Sequence, residues 1–443
     1  MKYLLLLLLA LSVTSSLTAQ TNSVELKDGG GTVLSQHSSI QEAYNTIPGS
    51  ISQAYTIEIL TIYTGANETF PITFTNRSGS SSSNTITLRP AAGNTGEMIV
   101  GSSNLGTLIL SDADYVIIDG RPGGTGSASD LIIENTVTSG TNANTLQFIG
   151  GANNNIVRYT HFKNATQGGA GPRTIEFADG APNSNNVVEF CKVEGGRSGI
   201  GFDGDAGIEN VNTIIRNCEV FNFGYAGIWL LANSRKILIE DCEIYQTTGV
   251  NNTLNTGINI GASVGDTITI RRNKIRDIQS TSTATGNTAR GIWFQSNAPA
   301  GSVWNIYNNF IALPLNNNSA QNIHGIDING TNPHIVNCYY NSIRIGGNHT
   351  AGTSGNVVSS GIRNNSAAVI LTLKNNICIN NRTGGTGGVV HTGFAMLNTS
   401  GVLDVNYNTY FANGTNSFNA YWNGTGYTDL GLYKTAASPN EQN

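Results

Sequence analysis

The sequence predicts an all-β solenoid, a stack of strand-bearing turns, on three observations. Residues 199–413 repeat: a Gly-apolar pair opens an alternating strand seven times, as GIGFDGD at 199, GIWLLAN at 227, GINIGAS at 257, GIWFQSN at 291, GIDINGT at 325, GIRNNSA at 361 and GFAMLNT at 393. Each opening is followed by a second alternating run that reaches a small polar residue. In register these are Cys218, Cys242, Asn273, Asn309, Asn341, Asn376 and Asn408. Finally, the chain is 39% hydrophobic but only 12% charged, and it carries 53 glycines. That mix disfavours helix and suits strands joined by polar turns, where Gly and Asn accept positive φ. A unit with period-2 alternation cannot bury its apolar face alone, so successive units must stack.

Met1 to Ala19 reads as a signal peptide: Lys2 is the positive start, Leu4 to Leu11 the apolar core, and Leu17-Thr18-Ala19 the cleavage region. The apolar run is too short to span a bilayer, and no later stretch is long enough. The expected mature protein is soluble and exported, in the secreted fraction or on the outer cell surface. A net charge of −5 with scattered charges leaves no basic patch for nucleic acid.

Residues 20–105 differ from the repeats. In SIQEAYNTI, Ile40, Ala43, Tyr44 and Ile47 share one helical face, Ser38 or Ser39 is the N-cap, and Pro48 follows. The runs YTIEILTIY, PITFTNRS and NTITLRP alternate as strands. The expected helix is an N-terminal cap over the open end of the stack, because an uncovered end strand is an aggregation edge. Weaker units start at Thr107, Thr145 and Thr174, giving about ten turns over residues 106–420. At roughly 4.8 Å per turn the rod is on the order of 50 Å long. Inserts such as QTTGVNNTLNT all fall at one place in the unit and should form loops along one edge. The tail, residues 421–443, leaves the pattern and ends on the polar run SPNEQN, with no apolar cap expected.

The five cysteines are expected to be small buried thiols. Cys191, Cys218 and Cys242 share a register roughly 5 Å apart, but parallel inward side chains are poorly aimed for a disulfide. Cys338 and Cys378 read as ordinary core residues, and no spacing suggests zinc.

The G-I-x-φ opening, the φ-x-φ-x-x-N continuation and the Asn register resemble right-handed parallel β-helix proteins of the pectin-lyase-like type. The resemblance covers nearly the whole mature chain and implies fold rather than activity. It also implies an inward asparagine ladder and ligands along the outer face of the first strand of each turn. The opening segments IQEAYNTI, TIEILTIYTGANETF and ITLRPAAG are similar to large exported solenoids of Gram-negative bacteria that use type IX secretion. Those end in a sorting domain that these residues lack, which implies membership of a longer chain.

Alternation assigns the outward residues. The row is Gln147, Glu176, Asp203, Trp229, Asn259, Trp293 and Gln295, Asp327 and Asn329, then Arg363. Two tryptophans among acids and amides suit a polysaccharide or surface glycan, aromatic faces stacking on sugars and polar groups meeting hydroxyls. The alternative is a plain surface with each Trp partly covered. Glu176 and Asp203 lie on adjacent turns roughly 7–8 Å apart, a separation that suits an inverting glycosidase. Asp203, Asp205 and Glu209 in DGDAGIEN resemble the front of a calcium loop without its later ligands; a plain turn is the alternative, and no other cofactor is indicated. His324, three residues before Asp327, reads as a polar loop histidine rather than a general base. The Asn-Thr-Asp, Asp-Asp, Gly-His-Gly and Arg-Ile-Lys motifs of polygalacturonases are missing. The sequence therefore favours a non-catalytic glycan-binding module over a polysaccharide hydrolase or lyase, with a structural stalk of a larger adhesin as the third reading.

Overall fold

The computed structural model describes residues 22–167, 171–282, 286–295, 298–313, 318–330, 334–352 and 356–443. The expected signal peptide lies outside the described residues.

Three parallel sheets wind around one core as a β-solenoid. The Gly-opened strands lie on the first face, which runs from Ile72–Thr75 through Ser198–Asp203 and Asn322–Ile328 to Ser417–Trp422. The second runs, such as Ile214–Arg216 and Val303–Tyr307, form the second face. A third set of short strands after the polar residue, such as Glu219–Phe221 and Phe310–Leu313, forms an 11-stranded third face. The register is the one read from sequence: Ile228 pairs with Ile258, Ile258 with Ile292, Ile292 with Ile326, and Ile326 with Ile362. Inside, aromatic side chains stack turn on turn, as in Phe148–Phe177–Phe202 with centroids 4.4 Å apart at each step.

The turns number about eleven rather than ten. The extra one begins at Ile72–Thr75, inside the region expected to differ, and its strand pairs in parallel with Leu108–Ser111. It lacks the Gly opening, so the repeat signal did not reach it.

The glycine column has a packing cause. A Cβ on Gly325 would sit 2.4 Å from the Gly361 carbonyl oxygen and 2.4 Å from Ile343 Cγ2. Each opening glycine from Gly199 to Gly361 faces the carbonyl of the next one in the same way. Only a hydrogen fits where the first face bends to let third-face side chains in.

The polar register forms the expected ladder. Nδ2 of Asn273, Asn309, Asn341 and Asn376 donates to Oδ1 of the next asparagine at 2.9–3.0 Å. Each of the four also donates to a main-chain carbonyl at 3.0 Å. The residue before each rung is left-handed: Asp241, Arg272, Asn308, Tyr340, Asn375 and Tyr407 have φ of 54–61°. That conformation is costly for Tyr or Arg, and the bonded rung holds it in place. Cys191, Cys218 and Cys242 continue the column as buried free thiols with Sγ 3.2–3.3 Å from main-chain oxygens. Burial pushes the Cys191 and Cys242 thiols well up. Cys338 and Cys378 are buried in the core as expected.

The ends correct the sequence reading. A helix closes onto the core at the C terminus, where none was expected. In α2 (Leu430–Ala437), Tyr433 and Ala437 are buried, and the Tyr433 ring meets Trp422 at 6.0 Å and Tyr410 at 6.2 Å. The polar run SPNEQN finishes the ladder: Glu441 accepts from Tyr410 at 2.6 Å and from Asn408 at 3.3 Å. At the N-terminal end a hairpin, Val24–Asp28 with Val33–His37, borders the second face in antiparallel pairing. There α1 (Ile40–Thr46) is capped by Ser39 and lies beside the edge strand Ile72–Thr75. Its Gln41 amide stands in for a neighbouring strand, accepting from Thr73 N at 2.7 Å and donating to Thr73 O at 3.1 Å.

Candidate functional site

The outward row is one cross-turn register: Gln147, Glu176, Gly201, Trp229, Asn259, Trp293, Asp327, Arg363 and Ala395 pair in succession. Asp203 lies two residues beyond Gly201 on the same strand. The row is not an open groove. Asn259 and Asp327 are fully buried, and Trp229 and Trp293 are 6% and 8% exposed. Residues three or four positions before members of the row cover it. Arg290 lies over the Trp293 ring at 3.9 Å. Arg197 lies over Trp229 at 4.8 Å, with the Tyr225 ring at 4.7 Å. The tryptophan faces expected to stack on sugars are therefore occupied by cations and an aromatic ring.

Asn259 donates to Tyr225 Oη at 3.0 Å and to Gln295 Oε1 at 3.3 Å, and Gln295 is exposed. Asp327 is a buried hub. Arg290 Nε donates to it at 2.6 Å, and Arg363 donates through Nε and Nη2 at 2.8 and 2.7 Å. The Arg363 guanidinium beside it helps hold its carboxyl well below the usual aspartate range, against the cost of burial. Asn329 is half-buried and accepts from Asn365 at 3.3 Å. His324 is not a loop residue: it is fully buried on a first-face strand, with Nδ1 2.8 Å from Ser360 Oγ.

The three candidate calcium ligands do not converge. Asp203 accepts from Arg173 at 3.2 Å, Asp205 from Gly180 N at 3.0 Å, and Glu209 from Arg235 at 3.0 Å. Among the described residues no trio of His, Cys, Asp or Glu is placed to hold a metal ion.

The row opens at its N-terminal end. There a cleft of about 510 Å³ is lined by Gln147, Arg173, Glu176, Asp179 and Asp203, with Asn142 beside them and Pro71, Leu105 and Ile109 as its apolar side. Arg173 bridges the two expected acids: Nη1 bonds Glu176 and Nη2 bonds Asp203. Glu176 also accepts from Gln147 at 2.7 Å and from Asn144. Burial pushes both carboxyls above their ordinary range, with Arg173 opposing the shift in each. The structure thus brings Gln147, Glu176 and Asp203 to one opening and separates them from the buried tryptophans. Sequence reasoning missed Arg173, Arg197, Tyr225 and Arg290. Their signal was present at two neighbouring offsets, since Arg173 and Arg290 stand three residues before Glu176 and Trp293, and Arg197 and Tyr225 four before Gly201 and Trp229.

No family model and no curated protein matches the chain. Solved structures with a similar course include the tailspike protein of Pseudomonas phage LKA1, 14% identical over 75% of this chain and 50% of that one, TM-score 0.26. Others are an alginate lyase from Paenibacillus (12%, 76% and 91%, 0.29) and a tailspike from Acinetobacter baumannii bacteriophage Fri1, a capsular polysaccharide depolymerase (10%, 72% and 57%, 0.24). This chain spans half the length of the first tailspike. At these scores the likenesses carry no argument about function.

Proposed function

We propose that the chain is an exported β-solenoid that binds a polysaccharide in the cleft over Arg173, Glu176 and Asp203. The observation that carries this reading is the lining of that cleft, with carboxyls, a guanidinium and amides on one side and Leu105, Ile109 and Pro71 on the other. A sugar ring presents hydroxyls at its edge and C–H groups on its face, and such a lining answers both. A glycan array with the native chain and Asp203→Ala tests it. Retention of a glycan by the native chain and its loss in the variant is the expected result.

A second reading is hydrolysis by the same pair. It is favoured by two carboxyls, both pushed up by burial, on either side of one guanidinium. A carboxyl that keeps its proton serves as a general acid. Reducing-sugar and unsaturated-product assays on pectins, alginates and xylans separate the readings. Product release lost in Glu176→Gln supports catalysis; binding without release supports the module. Export rests on the leader-like Met1 to Ala19 and on the similarity to type IX cargo, and fractionation of expressing cells tests it.

A further inference from the structure

The cleft over Glu176 sets one guanidinium against several carboxylates. Among the described residues its lining holds Glu176, Asp179 and Asp203, with Arg173 as the only cation. The charge of Arg173 is already engaged. Nη1 donates to Glu176 and Nη2 to Asp203 at 3.2 Å, while Nε is buried without a partner. Gly201 makes room for this arrangement: a Cβ there would sit 2.0 Å from Arg173 Cδ, so the Arg173 stem passes over bare backbone. The neighbouring guanidinium, Arg197, does not line the cleft and lies over the Trp229 ring instead.

Negative charge is left over. Asp179 is exposed just past the strand Arg173–Phe177, and its carboxylate has no hydrogen bond or ion pair among the described residues. Asp203 meets Arg173 through Oδ2 alone, and its side chain is 34% exposed. Asp203 also feels Asp179 and Asp205 as like charges. Even with a proton held on Glu176, Asp179 and Asp203 outnumber Arg173. A uronate carboxylate entering the cleft would face like charge and no unpaired cation, which costs binding energy. An ammonium would face carboxylate oxygens that still lack a partner.

We propose that the polysaccharide held in this cleft carries free amino groups, as a glucosamine polymer does, and that uronate polymers are excluded; the proposal rests on the glycan reading of the cleft given above. Asp179 and Asp203 receive the ammonium through charge-assisted hydrogen bonds. Leu105, Ile109 and Pro71 take the C–H face of the ring. Arg173 holds Glu176 and Asp203 in place and is not itself a receptor for an acidic sugar.

The test is calorimetric titration of the native chain with three oligosaccharides of equal length: a glucosamine oligomer, its fully N-acetylated form and an oligogalacturonate. Mildly acidic buffer of low ionic strength keeps the sugar amines protonated and exposed aspartates ionised. The expected result is that the glucosamine oligomer binds roughly tenfold or more tightly than its N-acetylated form, with no binding of the oligogalacturonate. Asp179→Asn, at an exposed side chain, should keep the native Tm and narrow the gap between the first two. The proposal is overturned if the N-acetylated form or the oligogalacturonate binds as tightly as the amine, or if the amine form does not bind. It is equally overturned if amine binding is unchanged in both Asp179→Asn and Asp203→Ala. Binding of either other oligosaccharide that is lost in Asp203→Ala would leave the cleft a glycan site with a different charge preference. Retention of no glycan of any class would instead sink the glycan reading itself, and this proposal with it.

Discussion

Asn309 Nδ2 donates to Asn341 Oδ1 at 2.9 Å, and Asn309 N donates to the same oxygen at 3.1 Å. One carboxamide oxygen therefore serves both the side chain and the main chain of the turn before it. Replacing Asn309 by Leu removes these side-chain bonds and orphans the Ile270 carbonyl and Asn273. Each buried group left unpaired costs about 1–3 kcal/mol. Asn309→Leu should lower Tm by calorimetry, while Asn251→Ala on an exposed loop should leave it unchanged.

Asp327 should carry more stability than any surface acid. Asp327→Asn leaves Arg290 and Arg363 facing a neutral amide, and breaking a buried pair of this kind costs about 3–5 kcal/mol. Its folded carboxyl titrates below the ordinary aspartate value of 3.8. The contribution is thus complete above that value and is lost as pH falls below it. Unfolding curves of native and variant chains should converge in acid; curves that stay parallel would contradict the ion-pair account.

Glu441 should behave in the opposite sense. Burial beside Tyr410 and Tyr433 raises its carboxyl, so ionising it costs folded stability as pH rises. Glu441→Gln keeps an acceptor for Tyr410 and should match or exceed the native Tm at pH 7. Glu441→Leu leaves Asn408 and Tyr410 without that acceptor and should fall by about 1–3 kcal/mol.

Gly325→Ala forces a methyl to 2.4 Å from the Gly361 carbonyl oxygen. Overpacking of this kind costs about 1–3 kcal/mol. Gly207→Ala, where a Cβ meets nothing within 4 Å, has only the strain of its positive φ and should cost less.

The turns from Gly199 onward were legible because Gly, the inward Ile and the ladder Asn recur at fixed offsets, and each offset reports one packing need. The extra turn at Ile72 was not, since its strand has no glycine and meets Gln41 and Tyr44 of α1 instead of another turn. SPNEQN looked like a raw end because it is polar; burial of Glu441 depends on Tyr410 and Asn408, far away in sequence. Alternation placed Trp229 and Trp293 on the outer side correctly, but side alone does not give exposure. The covering Arg197 and Arg290 stand two and one residues before the opening glycines Gly199 and Gly291, and their outward direction follows from the bend there, a feature that strict alternation does not contain.

The site itself is tested most directly by calorimetric titration with whichever oligosaccharide the native chain retains, comparing Asp203→Ala at the cleft with Gln295→Ala at the exposed end of the tryptophan row. The account predicts that Asp203→Ala weakens binding tenfold or more, about 1.4 kcal/mol, while Gln295→Ala binds as the native chain does. Undiminished binding by Asp203→Ala together with loss in Gln295→Ala would move the site to the tryptophan row and contradict it.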